Sequence, residues 1–306
     1  MPHGLINEEI GSKHYRKFKM KPKVEIFSDP ETNNATYLVR DPASNACAVI
    51  DSLLSFDLFS GRLSTTPAQK VIEFIQSRGL KLEWILETHI HADHFSAAGF
   101  LRERVGGKIA IGKKICQVQK TFKKFYNLGA EFVPDGSHFD HLFQDEDKFS
   151  IGNLSCQVFF TPGHTPACVS YLIGEAVFTG DTLFMPDSGT ARCDFPGGDA
   201  GELFDSIQKI FALPEETQLF VAHDYKAPGR EKFAWESSIS EQKRHNVHVG
   251  GNRSREEFCE IRRARDLSLS IPRMMLVAVQ SNMRGGRMPP PEGDGNSYLK
   301  IPVNKL

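Results

Sequence analysis

Four side chains able to bind metal fall within six positions of this chain: His89, His91, Asp93 and His94, in the string Glu87-Thr88-His89-Ile90-His91-Ala92-Asp93-His94. His89 and His91 are two residues apart, so an extended backbone turns both imidazoles to the same side. Asp93 and His94 then turn with the chain and can serve the same ion or a second one nearby. Imidazole and carboxylate together suit Zn, Fe, Mn, Ni or Cu without choosing among them. Exposed loop histidines would be the ordinary reading of any one of these residues. The fixed spacing, with a carboxylate inside it, argues for a metal instead.

The elements around the cluster support that reading. Leu82-Glu83-Trp84-Ile85-Leu86 directly before it is a buried-strand pattern, and Phe95 to Val105 after it is expected to be a helix closed by Gly106-Gly107. A strand-to-helix junction is rigid on one side and accessible on the other, which suits chemistry. Three further ligand-type residues stand at the ends of other apolar runs. His164 follows the strand pattern Leu154 to Phe160 and the turn Thr161-Pro162-Gly163. Asp181 follows the hairpin pattern Ala167 to Ile173 and Ala176 to Thr179. His223 ends the run Thr217 to Ala222. Each alone would read as a surface residue, a cap or a core histidine. Together the seven suffice for two ions: His89, His91 and His164 on one, Asp93, His94 and His223 on the other, with Asp181 bridging. Two metals about 3.5–4 Å apart activate a bridging water for hydrolysis.

The rest of the chain supplies strands and covering helices. Val24 to Phe27, Ala35 to Val39 and Ala46 to Ile50 read as strands, the last two joined by the turn Asp41-Pro42-Ala43-Ser44-Asn45. Thr66-Pro67-Ala68-Gln69 predicts a capping box opening a helix through Ile75 to Gly79. Lys108 to Gly112 is a further strand, and Lys113 to Tyr126 a helix or an irregular polar segment. Asp199 caps a helix with Leu203, Phe204, Ile207, Ile210 and Phe211 on one face. Trp235 to Asn246 and Ser254 to Leu267 are helical candidates, and Gly285 to Pro291 reads as a surface loop. Strands followed by helices, twice over, predict two sheets packed face to face with helices outside. Residues 1–22 form an expected polar arm, 23–228 a catalytic domain, and 229–306 a helical appendage packed on it.

Composition narrows the functions. Hydrophobic residues make up 40% and charged residues 25% of 306, and the formal net charge is −1. That balance gives no global pull toward nucleic acid or an anionic membrane. Arg262-Arg263-Ala264-Arg265 is a local basic run that reads as a solvated face. No apolar stretch approaches the ~20 residues of a membrane span, and the first residues lack the core of a signal peptide. Six scattered cysteines suit free thiols, and the expected location is the cytoplasm. Cys193 invites a redox role, but a plain small core residue is the simpler reading.

The pattern His89-x-His91-x-Asp93-His94, then His164, Asp181 and His223, resembles the metallo-β-lactamase fold superfamily across about residues 24–225. The resemblance implies an α/β (α+β) fold, an αββα sandwich of two mixed sheets flanked by helices. Within it, the chain is similar to the persulfide (sulfur) dioxygenases through Thr161-Pro162-Gly163-His164-Thr165, Gly180-Asp181-Thr182-Leu183, Gly189-Thr190-Ala191-Arg192-Cys193-Asp194-Phe195, Ala222-His223-Asp224-Tyr225 and Asn282-Met283-Arg284-Gly285. Glyoxalase II, a dinuclear thioester hydrolase using Zn, Fe or Mn, is the related alternative. It carries Glu where Asp224 stands.

The dioxygenase likeness implies one Fe(II) per chain, held by His89, His164 and Asp181. His91, Asp93, His94 and His223 would then support the ligands rather than bind a second ion. Glutathione persulfide, or a related low-molecular-weight persulfide, and O2 would be the substrates, and sulfite and glutathione the products. Arg192 and Tyr225 are the expected contacts to the thiol carrier. An arginine of the family that helps hold glutathione is replaced here by His248, with Lys243 and Arg244 just upstream. The family's cysteine after Asn-Met-Arg is replaced by Gly285. No nucleic-acid or membrane partner is expected, and a homodimer is compatible with the resemblance.

Overall fold

The computed structural model describes residues 20–305. Most of the expected N-terminal arm therefore lies outside the described residues. Fifteen strands and seven α-helices follow in this order. Strands β1 (Lys23–Asp29), β2 (Asn34–Arg40), β3 (Ala46–Ile50), β4 (Leu53–Asp57) and β5 (Arg62–Ser64) lead into α1 (Thr66–Ser77). Then come β6 (Lys81–Leu86), β7 (Phe95–Ser96), α2 (Ala98–Val105), β8 (Lys108–Gly112), α3 (Ile115–Phe125), β9 (His141–Phe143), β10 (Lys148–Ile151) and β11 (Leu154–Phe160). The chain continues through β12 (Val169–Ile173), β13 (Ala176–Phe178), a 3-10 turn (Gly180–Thr182), α4 (Ala200–Phe211), β14 (Gln218–Phe220) and β15 (Glu236–Ser238). It closes with α5 (Ile239–His245), α6 (Arg255–Asp266) and α7 (Met275–Asn282).

Two six-stranded mixed sheets result, ordered β1-β2-β3-β6-β8-β9 and β10-β11-β12-β13-β14-β15, with β5-β4-β7 as a small third sheet. Alternation along the strands divides the apolar residues into three layers. Tyr37, Val39, Ile50 and Leu86 of the first sheet face Leu154, Val158, Tyr171 and Phe178 of the second. The outer face of the first sheet, with Leu38, Val49 and Ile85, packs on α1, α2, α3 and α7 through Val71, Leu101, Val118 and Val279. The outer face of the second packs on α4, α5 and α6 through Leu203, Ile207, Ile239 and Phe258. This is the expected αββα sandwich. Among the described residues no helix is long and apolar enough to cross a membrane.

Local chemistry corrects several boundaries. Phe95 and Ser96 are strand, because they pair with Leu54 and Leu53, and the helix begins only at Ala98, whose N–H the Ser96 hydroxyl accepts at 3.0 Å. Glu236–Ser238 also pairs as a strand, beside β14; Ser238 then caps α5 through a true capping box with Glu241. The capping box expected at Thr66 does not form, since the N-cap is Thr65 and its side chain makes no capping bond. Helix α7 was not expected at all: almost every residue in it is buried, so no polar stripe marks it in the sequence.

Candidate metal centre and pocket

Parallel pairing of β3, β6 and β8 brings Asp51 and the Glu87–His94 loop to one edge of the sandwich. Parallel pairing of β13 with β14 does the same for Asp181 and His223, and β11 runs out toward His164. Gly180 lets the two sheets' loops meet. Its φ is 52°, and a Cβ there would lie 2.5 Å from Thr88 Oγ1 and 2.7 Å from Thr88 Cβ.

Hydrogen bonds set the tautomers of three histidines so that each Nε2 faces inward. Asp51 accepts from the Thr88 N–H and hydroxyl, both at 2.8 Å. The Thr88 oxygen, its proton thus engaged, accepts from His89 Nδ1 at 3.0 Å. His164 Nδ1 donates to the Arg192 carbonyl at 2.7 Å, and His223 Nδ1 to the Asn33 carbonyl at 3.1 Å. The Nε2 atoms of His89 and His164 then lie 3.8 and 3.6 Å from Asp181 Oδ2. Ligands each about 2.1 Å from one ion stand roughly 3–3.5 Å apart, so this triad needs little movement to close on a metal.

A second set forms beside it from His91, Asp93 and His223. His223 Nε2 is 3.4 Å from Asp93 Oδ2 and 3.5 Å from Asp181 Oδ1. His94 does not belong to that set. Its Nδ1 sits 3.0 Å from Asp93 Oδ2, and its Nε2 is buried with no hydrogen-bond partner. His91 stands outside the first triad: its Nε2 is 3.0 Å from Asp51 Oδ1 and 3.9 Å from Glu87 Oε2, yet neither ring nitrogen makes a hydrogen bond. The structure groups it with Asp93 and His223, or with Asp51 and Glu87, and not with His89 and His164 as the two-ion arrangement expected.

Burial and the neighbouring imidazole of His91 hold His89 well below the usual histidine range. Burial and His94 bring His91 down to about 3. Burial opposes ionisation of Asp93, but His94 and His223 outweigh it; for Asp181, His223, His89 and His164 do the same, and both carboxyls are lowered. His223 alone is raised, because Asp181 and Asp93 overcome its burial. Behind them, burial and Asp51 push Glu87 well up. The first triad thus offers a neutral His89 imidazole and an ionised Asp181 carboxylate, protonation states that bind metal.

Asn282 fixes the loop from a distance. Its Nδ2 donates to the carbonyls of His91 and His94, each at 2.8 Å, and its Oδ1 accepts from the Ser96 N–H at 2.7 Å. These are backbone groups with no partner in a sheet, and one side chain from α7 satisfies all three.

A cavity of about 340 Å³ opens over the triad, with His164, Asp181, His223 and Asp93 in its floor. That volume is in the range of small-molecule sites. Of the expected substrate contacts, Arg192, Tyr225 and His248 line it and Lys243 does not. Arg192 is already committed: its guanidinium forks onto Asp194 at 2.5 and 2.6 Å and donates to the Ser270 carbonyl at 2.6 Å. Its contribution is the carbonyl that orients His164. Tyr225 stacks on His223, the rings 5.7 Å apart and 11° from parallel, and is exposed at the mouth. His248 accepts from the Thr190 N–H at 3.0 Å; burial, with Arg262 and Arg265 near, lowers it to about 4. Cys193 lies outside the lining and is buried, and burial pushes its thiol up, as for a plain core residue.

The basic run is exposed at Arg263, Ala264 and Arg265, as expected, and buried at Arg262. Arg262 is 1% exposed, and both it and the exposed Arg265 line the cavity. Helical spacing was the available signal: Phe258, Arg262 and Asp266 share one face, an i, i+4 charge pair in line with an apolar residue.

Comparison with known proteins accords with this geometry. The sequence profile described as Metallo-beta-lactamase superfamily matches residues 29–223. A Beta-lactamase hydrolase-like protein of Agrobacterium fabrum is 50% identical over 285 residues, 93% of this chain; the chain spans only 65% of that protein's length. Glyoxylase B2 of Dictyostelium discoideum is 46% identical, covering 94% of this chain and 98% of its own. The mitochondrial persulfide dioxygenase ETHE1 of Bos taurus is 29% identical over 86% of this chain and 88% of its own. Among solved structures, ETHE1 from Myxococcus xanthus superposes with a TM-score of 0.68 at 33% identity, over 87% of this chain and all of that one.

Proposed function

The chain belongs to the metallo-beta-lactamase superfamily, and from that premise we propose that it is a mononuclear, non-haem Fe(II) dioxygenase acting on glutathione persulfide or a related small persulfide. The observation that carries the reading is the first triad itself: His89, His164 and Asp181 bring their ligand atoms together without His91, two histidines and one carboxylate, the set that suits Fe(II) with open positions on one face. The donor chemistry fits a metal in this cluster: both ring nitrogens of His91, His94 Nε2 and Asp181 Oδ1 are buried polar atoms without hydrogen-bond partners. An Fe(II) held by His89, His164 and Asp181 would supply adjacent positions for the terminal sulfur and O2.

The reaction balances as persulfide, O2 and water giving thiol, sulfite and two protons; the terminal sulfur is oxidised and O2 is reduced. The chain's own part is positioning. Phe184, Phe195 and Ala92 give the cavity apolar walls that limit water around the reacting sulfur. Arg265, which has no ion-pair partner among the described residues, faces the cavity as an anchor for a carboxylate of the thiol carrier. Residues 229–306 act with the preceding domain as one unit, because α6 and α7 complete the pocket and the loop. Six free cysteines suit a reducing cytoplasm.

A dinuclear hydrolase is the second reading, favoured by Asp181 Oδ1 facing His223 in the second set and by the likeness to Glyoxylase B2. Metal content of anaerobically purified protein, coupled to O2 uptake, separates the two. About one iron per chain and O2 consumption on adding persulfide are expected. Two zincs per chain with thiol release from an acyl-glutathione, and no O2 requirement, would establish the hydrolase. Arg265→Ala is expected to raise KM for the persulfide by about tenfold, the loss of one charge-assisted hydrogen bond, with kcat little changed. Lys243→Ala should leave both alone, and steady-state kinetics on the two variants checks the assignment.

A further inference from the structure

A second, smaller cavity touches the metal loop, and its lining also takes in the half-buried Thr165 and Pro166 and the exposed Pro196. It leaves about 20 Å³ for the centre of a water-sized sphere. Ile90 and Ala92 of the loop form one wall, Val118 and Phe122 of α3 another, and Met275 and Val279 of α7 a third. Of this loop, Ile90 lines only the small cavity, Asp93 only the pocket and Ala92 both, while His89 and His91 line neither. Ala92 and Phe195 belong to the linings of both cavities and form the partition between them. The Phe195 ring stands edge-on to His164, centroids 5.2 Å apart.

What such a space can hold follows from its walls. One water needs roughly 10–15 Å³ by this measure and two to four polar partners, and a space without them stays dry and takes apolar guests such as xenon. The volume suffices for one diatomic molecule. Thr165 is the one polar side chain in the lining, and its hydroxyl is already engaged by Cys168 Sγ at 3.1 Å and the Ala167 N–H at 3.3 Å. Water is therefore disfavoured, and a small apolar gas is not.

We propose that this cavity is a binding site for O2, from which the gas passes the Phe195–Ala92 partition to the metal without crossing the persulfide in the open pocket. The delivery role rests on the dioxygenase reading; the gas site itself does not. An ordered reaction gains from the arrangement, since the carrier can fill the mouth while O2 still has a way in.

Crystals pressurised with xenon test the site, and O2-dependent kinetics tests its use. Xenon is expected in the cavity of the unaltered protein and absent from Val118→Phe, whose ring fills it. The same variant should raise KM for O2 severalfold while kcat at saturating O2 and KM for the persulfide hold. Because Phe can overpack the core, Val118→Ile, adding one methyl, provides a milder step in the same direction. No xenon in the unaltered protein, or an unmoved KM for O2 in both folded variants, overturns the proposal. Xenon bound in a protein that consumes no O2 would overturn the delivery role and the dioxygenase reading together, while the gas site would stand.

Discussion

Asp181→Ala is expected to abolish both iron binding and persulfide-dependent O2 uptake. Among the described residues, Asp181 Oδ2 is the only carboxylate oxygen placed against both His89 and His164, at 3.8 and 3.6 Å. Its loss leaves two imidazoles and no anionic donor, and it removes the charge that compensates a divalent cation in a buried site. The fall in iron affinity should exceed the roughly 10–100-fold typical of losing a group that only orients a ligand. Asp93→Ala serves as the contrast. If one iron sits on the first triad, that variant keeps its metal; if two ions share Asp181, it loses one. Metal analysis with circular dichroism to verify folding reads both variants, and iron retained by Asp181→Ala would show the ligand set to be wrong.

The second large effect lies outside the metal centre. Arg262 and Asp266 are 1% and 7% exposed and pair through Nε at 2.9 Å and Nη2 at 2.7 Å. Arg262 also donates to the Thr190 carbonyl at 2.8 Å, and Asp266 accepts from the Cys193 N–H at 3.0 Å. Arg262→Ala strands a buried carboxylate and a carbonyl, a loss of about 3–5 kcal/mol for removing one partner of such a pair. Thermal unfolding should fall by roughly 5–15 °C. Replacing both partners, Arg262→Met with Asp266→Leu, should recover most of that loss, because neither charge is then left unpaired. The carbonyl that holds His164 belongs to Arg192, between Thr190 and Cys193, so the single variant should bind metal less tightly too. A Tm within a degree or two of the parent would refute this account of the pair.

Much of the centre could be read from the chain because each ligand-type residue follows an apolar run. His89, Asp181 and His223 all come just after strands that end in buried residues, and the sandwich then has few ways to bring such ends together. The division of labour among the histidines was not legible. His89 and His91 are the same residue type two positions apart, and only the folded loop groups the first with His164 and Asp181 and the second with other partners. The burial of one arginine was hidden for a related reason. A run of arginines looks solvated until the helical period shows that Arg262 lies in line with Phe258. Helix α7 left no signal, since it is buried on nearly every side. Short strands such as β4, β5 and β7 owe their form to pairing with distant partners rather than to their own residues.

The reach of Asn282 has a consequence for the order of events during synthesis. The loop carbonyls it secures belong to residues emerging from the ribosome some 190 positions earlier, at separations of 191 and 188 residues. Contacts of such range close late. The sheets can assemble as the chain appears, but the histidine loop stays unclamped until α7 has been made and docked. A metal meeting the chain before then finds donors without a fixed geometry, whereas one meeting it afterwards finds a site already shaped. Selection of the ion is in this way deferred until α7 is in place.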